Sequence, residues 1–293
     1  MKSAGQLNLG RKAAISSKRI HTSSSFPLSI PILSFFHLSH LPEGKEYPDA
    51  QNLGRLDQVM GLKWVHENIA GFGGDPDKVT NFGQSAGAGS VTLLPLIQGS
   101  HAYFQHVIAQ SGSPVFTRSP EEAIACTNEM MEYLGCKTVA DLQKTDYDMF
   151  LKAASAALSL RVWAERDGNI LPLDPYEAYL NGAAKDLDFL QGCNKDEAGY
   201  FVYGFGDLYD AWAADRKAKK LAQLMEEEKA LVESYCKDVK EESGYSSTTR
   251  LFDQIVFIAP LFRLSENQTK AGGIHLFLHA GIFRAADPER TRD

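Results

Sequence analysis

The chain is short of what several protein classes require. No stretch of its 293 residues approaches the run of about 18 apolar residues that a membrane-spanning helix needs, so the sequence predicts no membrane span. Cysteine is sparse: Cys126, Cys136, Cys193 and Cys236 lie far apart with no CxxC spacing, which argues against a zinc site and a disulfide scaffold and points to buried free thiols. Charge of one sign is missing in bulk. The net charge of −7 arises from acids and bases mixed along most of the chain, giving little support to a nucleic-acid surface. Repeats and low-complexity linkers are absent after residue 45. What remains, 44% hydrophobic and 23% charged, is average globular usage, enough to bury a large core.

A second deficit is local. Residues 1–42 contain no Asp or Glu but carry Lys2, Arg11, Lys12, Lys18 and Arg19 among many serines. That composition suits a transit peptide, and equally a disordered tail or upstream sequence read through a misplaced start codon. The apolar patch from Pro27 to Phe36 is broken by Pro27 and Pro31, which makes it a poor signal-peptide core.

From Asn52 onward the apolar residues Leu53, Leu56, Val59, Met60, Leu62, Trp64 and Ile69 recur at steps of three and four, predicting an amphipathic helix of about four turns that ends at Gly71, Gly73 and Gly74. Residues 78–82 read as a short buried strand, and a helix is expected from Ala86 to Leu96. His106 to Gln110 is a second strand, closed by a Ser-Gly-Ser-Pro turn; helices follow over 121–160; Asp188 to Gly192 is a third strand leading into a polar loop, Cys193 to Glu197. A charged helix is expected over 208–242 and a last strand over 274–278. Strands alternating with helices predict an α/β fold with a mostly parallel sheet covered on both faces, counted as one domain.

The informative motif is Gly83-Gln84-Ser85-Ala86-Gly87, a GxSxG pattern. Three fixed residues match by chance in roughly one chain of this length in ten, so the pattern needs its context. It has that context, lying between a predicted strand and a predicted helix, where a nucleophile elbow must sit. The tight turn asks for small flanking residues, met by Gly83, Ala86 and Gly87. The helix start would favour negative charge beside Ser85, with the Ala86 N–H as first oxyanion donor. Glu197, on a loop after a predicted strand and after Ser85 in the chain, suits the acid of a triad, with Asp196 the alternative by position.

Phe82 to Gly89, FGQSAGAG, resembles the nucleophile motif of type-B carboxylesterases, the cholinesterase-like family of the α/β-hydrolase superfamily. The likeness runs on through NLGRLDQVMGLKWVHENIAGFGGDPDKVTNFGQSAG, VIAQSGS, DGNILPLDPYEAYLNG and LQGCNKDEAGYF, covering roughly Phe35 to Phe283. It implies a carboxylic ester hydrolase acting through an acyl-enzyme on Ser85, with Glu197 as the triad acid and Ser111 as a supporting hydrogen-bonding position. It implies a small-molecule ester substrate and no cofactor or metal. Oligomeric state and acyl preference are left open.

The family places its catalytic histidine in a loop after a strand resembling GGIHLFLHAGIF, whereas this sequence ends at Asp293. The candidates for a triad histidine after Glu197 are His279 and His275, and the structural reading is preferred for both because they alternate with Leu276 and Leu278 along the predicted strand. The family's Gly-rich oxyanion loop has no counterpart before Ser85. The expectation is therefore an unrelated segment over 1–34 and a partial α/β-hydrolase domain over 35–293, incomplete at both ends. The alternative to an esterase is an inactive fragment or an esterase-like binding module. Secreted relatives close a disulfide loop near a sequence like Leu134-Gly135-Cys136; the next cysteine here is Cys193, which leans the compartment toward the cytoplasm.

Overall fold

The computed structural model describes residues 14–16, 19–21, 36–157, 163–198 and 252–279. The helix expected over 208–242 lies outside them, as does Cys236. At the N-terminal end, where no structure is expected from composition, two short strands pair antiparallel: β1 (Ala14–Ser16) and β2 (Arg19–His21).

The periodic segment after Asn52 forms α1 (Leu53–Asn68), continued by a 3-10 turn that Gly73 closes at φ 81°. The next strand, β3 (Thr80–Gln84), begins two residues later than its apolar run suggests. It is also not buried: among the described residues it stands at the edge of its sheet, alternates between half-buried and exposed positions, and leaves Phe82 55% exposed. Then come α2 (Ala86–Leu93), β4 (His106–Gln110) and β5 (Thr117–Arg118). The helical stretch after residue 120 resolves into α3 (Pro120–Leu134), α4 (Val139–Lys144) and α5 (Tyr147–Ala157). Its breaks are chemical. Ser119 and Glu122 form a capping box at the start of α3, Gly135 ends that helix in the left-handed region, and Thr138 with Asp141 caps α4 in the same way.

After β6 (Ala164–Glu165) and α6 (Pro175–Leu180), β7 (Asp188–Cys193) carries the chain to the polar loop. A π-helical turn, Asp253–Ile258, feeds α7 (Ala259–Lys270), and β8 (His275–His279) follows. The sequence reading missed this helix, because its entrance is apolar on all sides and Pro260 interrupts the pattern. Pro260 follows directly on the π-helical turn, where the regular i to i−4 ladder is already interrupted.

The sheet order is β3-β4-β7-β8, with β7 and β8 parallel from Phe189 opposite His275 to Cys193 opposite His279. A separate parallel pair, β5 and β6, sets Arg118 opposite Glu165. This is the α/β arrangement of a mostly parallel sheet with helices that the sequence predicts.

The residues group into two compact units, each assembled from separate stretches of chain. One contains Met1–Asn81, Leu93–His106 and Phe116–Pro175; the other contains Phe82–Thr92, Val107–Val115 and Tyr176–Asp293. In the first, Phe36, Leu38, Cys126, Met130, Val139, Leu142 and Phe150 form an apolar core. In the second, Cys193, Ile258 and Leu261 pack together with Phe277, and Tyr179 is fully buried, its hydroxyl donating to Thr92 O at 2.7 Å. Cys126 and Cys193 are buried free thiols as expected, and Cys136 is a half-buried one. Among the described residues no helix is long and apolar enough to cross a membrane.

Candidate active site

Parallel strands send their loops to one edge, where ligand sites in open α/β sheets are built. Ser85 follows the last residue of β3, Ser111 the last of β4, and the loop Asn194–Glu197 the last of β7. Two main-chain bonds tie these ends together: Ser85 N donates to Gln110 O at 2.8 Å, and Ser111 N donates to Gly192 O at 2.8 Å.

Ser85 is both the end of a strand and the beginning of a helix. Its N–H closes the ladder to β4, while its carbonyl accepts from Gly89 N at 3.0 Å as the first turn of α2. Joining the two forces its backbone into the left-handed region, φ 55°. For a residue with a side chain this costs about 1–3 kcal/mol, which the surrounding structure must impose. Gly83 shows how: a Cβ there would lie 2.3 Å from the C and O atoms of Gly87 and 2.9 Å from Ala88 N. Helix α2 therefore folds directly onto the strand that precedes it. The need for small flanking residues is thus narrower than the motif suggests, since a Cβ on Gly87 would meet nothing within 4 Å. The Ala86 N–H lies in the first turn of α2, where backbone donors have no intrahelical acceptor.

Ser111 repeats the strained geometry at the next strand end, with φ 57°. Its hydroxyl oxygen lies 3.5 Å from Asn194 Nδ2. Asn194 turns the other way as well: its main-chain N–H donates to Glu197 Oε1 at 2.7 Å and its Nδ2 approaches the same oxygen at 3.3 Å. Of the two adjacent acids, Glu197 is buried and held, and Asp196 is exposed. The structure thus brings Ser111 and Glu197 together through Asn194, a residue the sequence reading passed over. Its signal was present as an asparagine three residues before an acid, the spacing of a local side-chain to backbone turn. Nearby, Asp253 accepts a short bond from Ala198 N. Burial, with the charges of Glu197 and Asp253, pushes the Cys193 thiol up to about 12, so no thiolate forms there at neutral pH.

The two late histidines part company. His275 begins β8, opposite Phe189 and so at the amino end of the strands, away from Glu197. Its ring stacks on Phe189 with centroids 5.9 Å apart, neither ring nitrogen has a hydrogen-bond partner, and burial lowers its pKa to about 4. His279 is the last residue of β8 rather than an interior one, level with Cys193 at the carboxyl end. Among the residues whose side chains are described, His279 not being one of them, no hydrogen bond joins an imidazole to Ser85 or Glu197, and no group of three or more His, Cys, Asp or Glu side chains is arranged to hold a metal ion.

The state of His275 has a consequence for stability. Below its ordinary value of 6.5 the unfolded chain binds a proton that the folded chain refuses until pH falls to about 4, so stability is lost as pH drops through that window. His275→Phe, which keeps the stack, is expected to lose less stability than the parent when urea unfolding at pH 7 is compared with pH 5. An identical pH 7 to 5 loss in both proteins would show that His275 is already solvated.

The model of the "Carboxylesterase family" matches residues 32–280. Para-nitrobenzyl esterase of Bacillus subtilis is 34% identical over 191 residues, 62% of this chain and 38% of that protein. Mouse cholinesterase is 34% identical over 174 residues, 54% of this chain and 29% of that one. The crystal structure of Geobacillus stearothermophilus carboxylesterase Est55 superposes with a TM-score of 0.74 at 32% identity, over 85% of this chain and 53% of that structure. The chain therefore spans about half the length of that solved structure and less of the two curated relatives. The match over most of its own residues places this chain in the carboxylesterase family.

Proposed function

We propose that the chain hydrolyses carboxylic esters of small molecules through an acyl-enzyme on Ser85. The observation that carries the reading is the strained Ser85 backbone between β3 and the start of α2, which the missing side chain of Gly83 permits. In the first half-reaction Ser85 Oγ bonds to the acyl carbon, the bond to the alcohol oxygen breaks, and the serine proton passes through an imidazole to the departing alcohol. Water reverses these steps and releases the acid. The Ala86 N–H stabilises the oxyanion as it forms. Glu197 orients and balances the imidazole, and Ser111 steadies Glu197 through Asn194.

Of the histidines that follow Glu197 among the described residues, His275 is unsuited to this duty by its position and its stacked, neutral state. His279 stands at the proper edge of the sheet by register. Glu197→Gln keeps the size and loses the charge; it is expected to lower kcat for a p-nitrophenyl ester by about ten-thousandfold, the effect of the same change in a working triad. Ser111→Ala is expected to cost less than about tenfold, because its link to Glu197 is a single 3.5 Å contact through Asn194.

The test is steady-state hydrolysis of p-nitrophenyl butyrate by the purified chain beside Ser85→Ala and His279→Gln. Turnover that collapses in Ser85→Ala supports the acyl-enzyme, and a collapse in His279→Gln names the base. A second reading, a non-catalytic module on the same fold, follows from the stacked state of His275 at the far end of the strands from Glu197. Equal inertness of the folded parent and Ser85→Ala selects it.

A further inference from the structure

Far along the sequence from the elbow, within the first unit, a serine, a histidine and a carboxylate are already in line. Ser39 Oγ lies 2.6 Å from His37 Nε2. On the other side of the ring, His37 Nδ1 lies 2.8 Å and 3.0 Å from the two carboxylate oxygens of Glu165. We propose that Ser39, His37 and Glu165 form a second acyl-accepting site, independent of Ser85, that takes activated esters of small acyl groups.

The direction of each hydrogen bond follows from the donors available. A carboxylate can only accept, so Nδ1 carries a proton toward Glu165; in the neutral imidazole Nε2 then presents its lone pair, and Ser39 donates into it. This is the arrangement in which an imidazole removes a serine proton during attack. The exposure gradient suits the roles: Ser39 is exposed, the His37 side chain is 15% accessible, and Glu165 is 0%. Burial raises the Glu165 carboxyl above its ordinary value, and the hydrogen bond from His37 and the charge of Arg118 offset only part of that rise.

Each member is also fixed from outside. His37 N donates to Thr127 Oγ1 at 3.1 Å. Asn52, a residue placed to cap α1, makes no such cap; its amide clasps the main chain of Glu165, donating to Glu165 O at 2.9 Å and accepting from Glu165 N at 3.1 Å. Gly44 lets the turn after Ser39 close, since a Cβ there would lie 1.7 Å from Leu38 O. A histidine whose only task was to neutralise Glu165 would not need a hydroxyl aligned on its far nitrogen.

In the reaction Ser39 Oγ bonds to the acyl carbon of an aryl ester, the aryl oxygen leaves with the electron pair of the broken C–O bond, and the proton moves from Oγ to His37 Nε2 and on to the phenolate. Water, deprotonated by the same nitrogen, then releases the carboxylic acid. Because Ser39 is exposed on a turn, leaving-group activation rather than a shaped pocket selects the substrate. Ser39 and His37 are the catalytic residues, and Glu165 is a positioning residue.

The experiment uses the full chain carrying Ser85→Ala, so that failure of the Ser85 reading and failure of this one are separate results. Treated with p-nitrophenyl acetate or a fluorophosphonate and digested, this chain is expected to carry the acyl or phosphonyl group on the Ser39 peptide. Adding Ser39→Ala removes that label, and adding His37→Gln slows it by about a hundredfold or more. Glu165→Gln lowers the maximal inactivation rate by the fluorophosphonate without changing its half-saturating concentration, a split that loss of structure alone would not give. Labelling of Ser39 no faster than the chain's other serines, or at an unchanged rate in His37→Gln with its thermal unfolding intact, overturns the proposal.

Discussion

Ser85→Ala is expected to reduce steady-state ester hydrolysis by at least about a thousandfold, within the roughly million-fold contribution of the nucleophile in a complete serine-hydrolase triad. The expectation rests on geometry rather than on the motif. A serine held at φ 55° at the junction of a ladder bond and a helix turn is an arrangement the fold sustains at a cost, and a bland turn would have used glycine there. The same strain makes a second readout possible: alanine shares the unfavourable backbone, so Ser85→Ala is expected to leave the unfolding midpoint within about 0.5 kcal/mol of the parent. Lost turnover with unchanged stability assigns the hydroxyl to chemistry. Retained turnover, once Ser39 is also replaced, would remove Ser85 from the reaction.

Gly83→Ala is expected to destabilise the chain by about 3 kcal/mol, at the upper end of what overpacking costs. The atoms its Cβ would strike, at 2.3 Å, belong to the main chain of Gly87, and they cannot swing aside as a side chain does. Relief requires α2 to lift from β3, which moves the Ala86 N–H relative to Ser85, so activity should fall together with stability. Gly87→Ala is the internal contrast. It lies inside α2 with open space around the added methyl, and it should gain up to about 1 kcal/mol by replacing a helical glycine. Urea unfolding with equal slopes in the three proteins measures both numbers. Equal losses at the two glycines would mean that α2 does not pack on β3 as described.

The elbow was readable because a strand, a GxSxG turn and a helix are consecutive in the chain, so local chemistry and function coincide over a few residues. Glu197 was singled out by its place after a strand; its burial and its bonds from Asn194 are what separate it from Asp196. The sequence misjudged β3, whose apolar residues suggested burial on both faces while the sheet order leaves it at an edge with Phe82 exposed. It also grouped His275 and His279 as equivalent. Register separates them, placing one at each end of β8, and a one-dimensional pattern carries no information about register with a distant partner. The arrangement of Ser39, His37 and Glu165 was invisible for the same reason: a His-x-Ser triplet is unremarkable until a carboxylate 128 residues away reaches its ring.

By itself, then, the sequence determined the α/β class, the strand-turn-helix of the elbow and the likeness to carboxylesterases, since each is written in contiguous residues whose spacing matches a helix, a strand or a tight turn. Tertiary structure alone decided which strand lies at the edge, which of two neighbouring acids is held, which histidine faces which end of the sheet, and that Asn194 joins Ser111 to Glu197. Those outcomes depend on contacts between residues far apart in the chain, whose mutual position is fixed by packing and strand register rather than by any local preference.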